Sequence, residues 1–164
     1  MTALREGALA GSLAGVLSTA VLAVAGVRQA GSAVAPTNAI SHWFWGEESL
    51  HAQRPSLRHT LTGYVTHHVA SVFWAALYSR VYGQRESARK LPQALAGGLA
   101  TSALACFVDY QLTPKRLTPG FEHRLSTGAM VAVYGALSAG FALGAVLLQL
   151  REKPMPAKSF LPLR

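Results

Sequence analysis

Charged residues are scarce in this sequence, and they are unevenly spread. Only 13% of its 164 residues are Asp, Glu, Lys or Arg, against about 25% in an ordinary soluble domain. Four stretches contain none of them, and each approaches or exceeds the roughly 20 residues with which a helix crosses a bilayer. This distribution argues against a soluble domain and predicts a small membrane protein. The uncharged stretches are 7–27, 59–79, 91–108 and 125–150.

Cysteine is almost absent, and so are catalytic motifs. Cys106 is the single cysteine, so no disulfide forms within the chain. The sequence has no Ser/His/Asp set, paired carboxylates or Cys-x-x-Cys, so we expect neither enzymatic activity nor a cofactor. The net charge of +8 comes without basic runs interleaved with aromatics. It therefore favours anionic lipid headgroups over nucleic acid as the partner of the loops.

These features predict an all-α fold, a four-transmembrane-helix bundle that forms one domain over residues 1–164. The first span has one alternative, since Ala23-Val24-Ala25 would fit the cleavage site of a signal peptide. With the N-terminus inside, nine Lys and Arg lie on the cytoplasmic side and six on the other. This bias predicts that both termini are cytoplasmic. The predicted spans cover about 7–27, 59–80, 92–112 and 124–150, and a cytoplasmic tail follows over 151–164.

Small residues recur at helical spacing in the first and last spans. In lipid, helices associate chiefly where small residues let their backbones approach closely. The pattern predicts tight packing inside the bundle, with a homo-oligomer interface or a contact with another membrane protein as the alternative. The predicted packing residues are Gly7, Gly11, Gly15, Gly128, Gly140 and Gly144.

A long connection between the first two spans contains a short amphipathic segment over about 37–46, with Thr37 as its expected N-cap. Trp43, Phe44 and Trp45 cluster there, and tryptophan is enriched at membrane interfaces. We expect an interfacial helix that anchors these three rings at headgroup level. The alternative is a cap folded over the outer mouth of the bundle. At the end of the connection, Ser56 or Thr60 can cap the second span.

The third connection contains two Thr-Pro pairs, Thr113-Pro114 and Thr118-Pro119. Proline is favoured in the first turn of a helix and threonine can cap it. Thr118 would then cap a last helix that begins at Pro119, with Glu122 in its first turns. Rigid turns alone are the simpler explanation of the same residues.

Ionisable residues at membrane depth are costly and are functional candidates by default. His67 and Asp109 lie on rows of small residues, so both should face other helices; His68 is turned about 100° away. Asp109 either pairs with Lys115 or Arg116, or joins a shallow polar pocket that opens outward. No metal site is expected, since adjacent histidines project from different faces. The candidate pocket residues are His67, His68, Asp109, Tyr64 and Tyr110.

The span layout and the second span, which reads HHVASVFWAALY from His67 to Tyr78, resemble small, uncharacterised bacterial inner-membrane proteins of the YagU type. This resemblance implies location in the bacterial inner membrane and no particular activity. The Thr-Pro-rich third connection departs from that pattern.

Two function classes follow from these observations. The first is a non-enzymatic accessory or assembly subunit that acts through helix–helix packing. The second is a small oligomeric transporter, or a proton- or ion-conducting protein, that uses the outward-facing His/Asp cluster. A membrane-embedded enzyme or redox subunit is the least favoured class, because the motifs for it are missing.

Overall fold

The computed structural model describes residues 3–82 and 90–152, and within those ranges every regular element is helical. This confirms the predicted all-α class. Much of the predicted tail, 153–164, and the second connection, 83–89, lie outside the described residues. Single-turn π-helices cover Leu57–Leu61 and Val108–Leu112, and 3-10 turns cover Lys115–Leu117 and Phe121–His123. The α-helices are α1 (Ala3–Ala30), α2 (Ala35–Ile40), α3 (His42–Trp45), α4 (Glu48–His51), α5 (Thr62–Val81), α6 (Leu91–Phe107) and α7 (Thr127–Glu152).

Within the described ranges, three helical segments are long and apolar enough to cross a membrane: Arg5–Ala30, Leu91–Leu112 and Thr127–Leu148. They support a membrane protein. The α5 helix has 20 residues but does not meet the same standard of hydropathy. Its two histidines and its hydroxyl-bearing side chains lower its apolar content. By composition, therefore, three of the four predicted spans are supported.

The α1 helix is the centre of the packing. Both α5 and α7 run antiparallel along it, and α6 packs against α7 and, less extensively, against α5. A Cβ added at Gly7 would lie 2.7 Å from Cα of Ala76 on α5, and one at Gly144 would lie 2.5 Å from Cα of Ala10. These contacts are between backbones, so only glycine fits. The antiparallel pairs place α5, α1 and α7 side by side over most of their length.

One predicted packing glycine, Gly128, does not pack against a helix within the described residues. Gly11, Gly15 and Gly140 approach a neighbouring helix as Gly7 and Gly144 do, but nothing lies within 4 Å of a Cβ added at Gly128. Gly128 occupies the first turn of α7 and faces outward. It belongs to a different helix face from Gly140, because twelve residues at about 100° each do not return to the same direction.

Helices α2, α3 and α4 form a lid, residues 35–51, over one end of the bundle, which we call the outer end. All six residues of α2 are buried, so this element lies within the protein and not on its surface. The predicted cap at Thr37 is wrong, since α2 begins at Ala35 and Thr37 lies inside it. The lid therefore follows the alternative prediction of a cap over the bundle mouth.

The three aromatic residues of the lid point in different directions. Phe44 is 62% exposed and Trp45 41% exposed, and Arg58 stacks over the Trp45 ring at 4.8 Å from its centroid. Trp43 instead turns inward, and its indole N–H donates to the Thr118 carbonyl at 2.8 Å. The prediction that all three rings form an interfacial anchor thus does not hold for Trp43.

The third connection, residues 113–126, folds back on the lid without starting a helix at Pro119. Gly120 has φ +90°, a left-handed conformation that interrupts helical geometry, and α7 begins only at Thr127. A Cβ on Gly120 would lie 2.6 Å from the Ala39 carbonyl oxygen. The predicted helix start is wrong for this reason, and Glu122 lies in a 3-10 turn.

Candidate functional site

A cavity of about 70 Å³ lies at the outer half of the bundle, between α5 and α6. The α7 helix forms its floor, and the lid and the third connection close its outer end. The α5 and α6 helices meet instead at their inner ends, where the Tyr78 hydroxyl lies 3.4 Å from the Ala94 carbonyl. The separation of these two helices toward the outer end therefore creates the cavity. The lining residues are Ile40, Trp43, Thr66, His67, Ala70, Ser71, Trp74, Ala105, Asp109, Pro119, Phe121, Val133, Tyr134 and Leu137.

Asp109 reaches the cavity from a π-helical turn. The chain winds wider after Phe107, and the Thr113 N–H donates to the Val108 carbonyl at 2.9 Å, five residues back. Such turns rotate the side chains that follow and are frequent at functional sites. The Tyr134 hydroxyl on α7 donates to Oδ2 of Asp109 at 2.6 Å. This bond holds the carboxyl group against the floor of the cavity.

No cation pairs with Asp109 among residues 3–82 and 90–152. Lys115 and Arg116 are exposed on the third connection and form no ion pair with it, so the predicted fold-back pair is wrong. The nearest acidic neighbour is Glu122, which accepts from the Tyr110 hydroxyl at 3.4 Å. A second carboxylate thus lies near Asp109, and it is Glu122, not Asp109, that has a basic side chain close by, with Nε2 of His123 at 3.9 Å from its Oε1.

His67 lines the inner part of the same cavity. Its Nε2 lies 2.7 Å from Oγ of Ser18, a fully buried residue near the middle of α1. Ser18 also donates to the Ala14 carbonyl at 2.7 Å. Since a hydroxyl has one proton, we assign Nε2–H of a neutral His67 as the donor to Ser18. In the part of the chain that the structure describes, Nδ1 of His67 makes no hydrogen bond and remains an acceptor for a ligand or water.

His68 faces away from the cavity. Its Nε2 lies 3.3 Å from Oγ of Ser12 on α1, and its ring packs beside Tyr64 with centroids 5.7 Å apart. Tyr64 itself borders a shallow depression with Pro55 and Leu57, outside the cavity. Successive helical residues point about 100° apart, so the two histidines serve different contacts, as their spacing indicates. Among the described residues, no three His, Cys, Asp or Glu side chains are grouped to hold a metal ion.

The predicted pocket is therefore brought together in part. His67 and Asp109 line one cavity, whereas His68 and Tyr64 lie elsewhere. Tyr110 does not line the cavity; its ring packs edge-on against the Tyr134 ring, with centroids 6.3 Å apart. Whether these residues act in function stays a prediction.

Sequence reasoning missed the aromatic lining of this cavity. Trp43, Trp74, Phe121 and Tyr134 come from four different elements. Tyr134 could have been noticed from the sequence, because it is a phenol within an otherwise small and aliphatic stretch of α7. A buried phenol needs a hydrogen-bond partner, and an intramembrane carboxylate is an obvious one. The other three rings offer no such signal.

Asn38 holds the lid in place over the cavity. This fully buried amide donates from Nδ2 to the Ala52 carbonyl at 3.0 Å and to the Arg54 carbonyl at 3.1 Å. Its Oδ1 accepts from the Thr60 hydroxyl at 2.7 Å. One side chain thus ties α2 to the end of the lid and to the start of α5. The predicted cap at Ser56 is confirmed next to it, since Ser56 Oγ accepts from the His59 N–H at 3.0 Å.

No protein-family model, curated protein or solved structure matches this chain. The likeness to YagU-type proteins accordingly stays a prediction. Function has to be argued from the geometry of the cavity itself.

Proposed function

We propose that the chain is a four-span protein of the bacterial inner membrane, with both termini in the cytoplasm and without enzymatic activity. Contacts at the outer end support the fourth span. Trp43 binds Thr118, and Gln29 at the end of α1 accepts from the Ser126 N–H at 2.7 Å. The α1 helix therefore ends where α7 begins. Because α6 is antiparallel to α7, with Gly98 against Ser138 and the Ser102 hydroxyl donating to the Tyr134 carbonyl, α1 and α6 run in the same direction. A chain that crosses twice in one direction must return between the crossings, and α5 is the helix that connects them.

Within this topology, we propose that the protein is a small transporter that binds its substrate in the cavity between α5 and α6 and functions as an oligomer. The observation that carries this proposal is Asp109: a carboxyl group in a cavity, held by one hydrogen bond from Tyr134. An intramembrane carboxylate is costly in hydrocarbon and is a functional candidate by default. The acceptor nitrogen of His67 adds a second polar contact within the same space.

The inner half of the bundle favours a binding site over an open pore. Tyr78 and Phe141 are almost fully buried, and their rings stack with centroids 5.8 Å apart. They fill the interior where α5, α6 and α7 approach each other. A solute in the cavity would reach the other side only if these helices moved, which is how a transporter differs from a channel.

Flux through proteoliposomes tests this function. We expect purified protein to support movement of protons or of small inorganic or organic cations across the vesicle membrane, and we expect Asp109→Asn to abolish it. Glu47→Gln, which removes an exposed carboxylate of the lid, is the matched control and should transport normally. Vesicles that stay as tight as protein-free ones between about pH 5 and 8 would contradict the proposal.

An accessory or assembly subunit is the second candidate, and one face of α7 favours it. Nothing lies within 4 Å of a Cβ added at Gly128 or Gly135, and Val131 between them is 68% exposed. Small residues on a lipid-facing surface permit close approach of another helix. Native mass spectrometry of the solubilised protein and of Gly135→Leu tests this role. Loss of a complex in the variant would support it, and a lone monomer in both samples would oppose it.

A further inference from the structure

The cavity combines two features that together select one class of ligand. One is the Asp109 carboxyl group, which has no basic partner among the described residues. The other is a wall of four aromatic rings, contributed by Trp43, Trp74, Phe121 and Tyr134. The faces of aromatic rings carry negative electrostatic potential and attract cations, most strongly for tryptophan. A cation that meets the faces of these rings would be favoured by them as well as by the Asp109 carboxylate.

We propose that the cavity binds a small organic cation with an alkylated ammonium group, with Asp109 as its counter-ion and the aromatic rings around its methyl groups. This inference rests on the proposed function and names the substrate class of the same site. Ammonium groups that carry methyl substituents lose little hydration on entering such a space, whereas an inorganic ion needs several oxygen ligands, and Asp109 is the single carboxylate among the described lining residues.

The size of the cavity agrees with this class. Its volume is about 70 Å³, and a single water occupies about 10–15 Å³ of such space. The cavity therefore accommodates about five to seven water-sized groups, which matches a trimethylammonium group with a short substituent. A large polycyclic cation would not fit without movement of α5 away from α6.

Polar groups at the two ends of the cavity agree with a ligand that is more than a bare ammonium. Asp109 and Tyr134 lie toward the outer end, and the acceptor Nδ1 of His67 lies deeper. A hydroxyl on the substituent of the cation could donate to this nitrogen. Glu122, behind Tyr110, adds negative potential at the outer rim and would help draw the cation in.

Choline is a suitable probe because a neutral molecule of the same shape exists. In 3,3-dimethylbutan-1-ol a carbon replaces the ammonium nitrogen, so the two compounds differ in charge alone. We expect choline to bind purified protein in nanodiscs by isothermal titration calorimetry, and to change tryptophan fluorescence, since Trp43 and Trp74 line the cavity. The neutral alcohol should bind at least about tenfold more weakly, because it cannot use the carboxylate.

Matched variants assign the binding to this site. Asp109→Asn keeps an oxygen for the Tyr134 hydroxyl and should weaken choline binding by at least about tenfold, whereas Glu47→Gln should not. Trp74→Phe should weaken it about twofold to fivefold, and Trp45→Phe, which changes an exposed ring of the lid, should have no effect. Equal binding of choline and the neutral alcohol would overturn the proposal, and so would binding that Asp109→Asn leaves unchanged.

The two proposals fail separately. Binding of choline that depends on Asp109, in a protein that moves nothing across proteoliposomes, would keep the cation site and reject the transporter. Asp109-dependent flux of protons or inorganic cations without choline binding would keep the transporter and reject the organic-cation site.

Discussion

At the residue scale, Asn38 is the side chain on which the lid most depends. Its amide satisfies three backbone and side-chain groups at once, and it is fully buried. We expect Asn38→Asp to destabilise the protein by about 2–4 kcal/mol, because the carboxylate cannot donate to the two carbonyls and is left facing them. Thermal unfolding in detergent measures this change.

Glu48→Gln is the control for Asn38→Asp. It alters an exposed residue whose ion pair with Arg58, at 2.6 Å, lies on the surface. Such pairs contribute about 0–1 kcal/mol, so this variant should unfold close to the wild-type temperature. Equal stability of Asn38→Asp and wild type would show that the lid does not depend on the buried amide.

The residues of the site differ in how far the sequence predicts them. His67 and Asp109 stand out because ionisable groups are rare within uncharged stretches, and their helical rows indicate which way they face. Trp43 and Trp74 do not stand out, because aromatic residues are common both in cores and at membrane interfaces. Their convergence on one cavity depends on how the lid folds over α5, which no local pattern encodes.

At the scale of elements, the contact between α1 and α5 depends on glycine. A Cβ at Gly11 would collide with the backbone of Val72 on α5. We expect Gly11→Ala to lower stability by about 1–3 kcal/mol, because one helix must move outward or distort. Thermal unfolding in detergent, followed by circular dichroism, measures the loss.

Gly135→Ala is the matched control on α7. A Cβ there meets nothing within 4 Å, and alanine favours helix by about 1 kcal/mol over glycine in solution. This variant should be as stable as wild type or slightly more so. A loss as large as that of Gly11→Ala would mean that Gly135 is also covered, which would favour the oligomer interface.

The long helices are the predictable elements and the connections are not. Uncharged stretches and glycine spacing indicate α1, α6 and α7 within a few residues of their observed bounds. The lid and the third connection stabilise each other through contacts such as Trp43 with Thr118, so neither takes its shape from its own sequence. The expected helix start at Pro119 failed for this reason, since Gly120 turns the chain toward the lid instead.

At the scale of the whole molecule, the number of crossings decides on which side of the membrane the chain ends. Four spans place both termini on the same side, whereas the three most apolar helices alone would place them on opposite sides. The position of α5 beside α1, with Gly7 against Ala76 and Gly15 against His68, argues that both helices occupy the same depth. This shared depth supports the proposal that α5 spans together with α1.

Cysteine labelling in intact cells tests this topology. In a Cys106→Ser background, we expect Ala33→Cys, an exposed position of the first connection, to react with a membrane-impermeant maleimide from outside. Lys158→Cys should react only after the membrane is made permeable, because an even number of crossings returns the chain to the cytoplasm. Lys115→Cys should behave like Ala33→Cys, since the third connection packs against the lid. Labelling of Lys158→Cys in intact cells together with Ala33→Cys would remove α5 from the membrane-spanning helices.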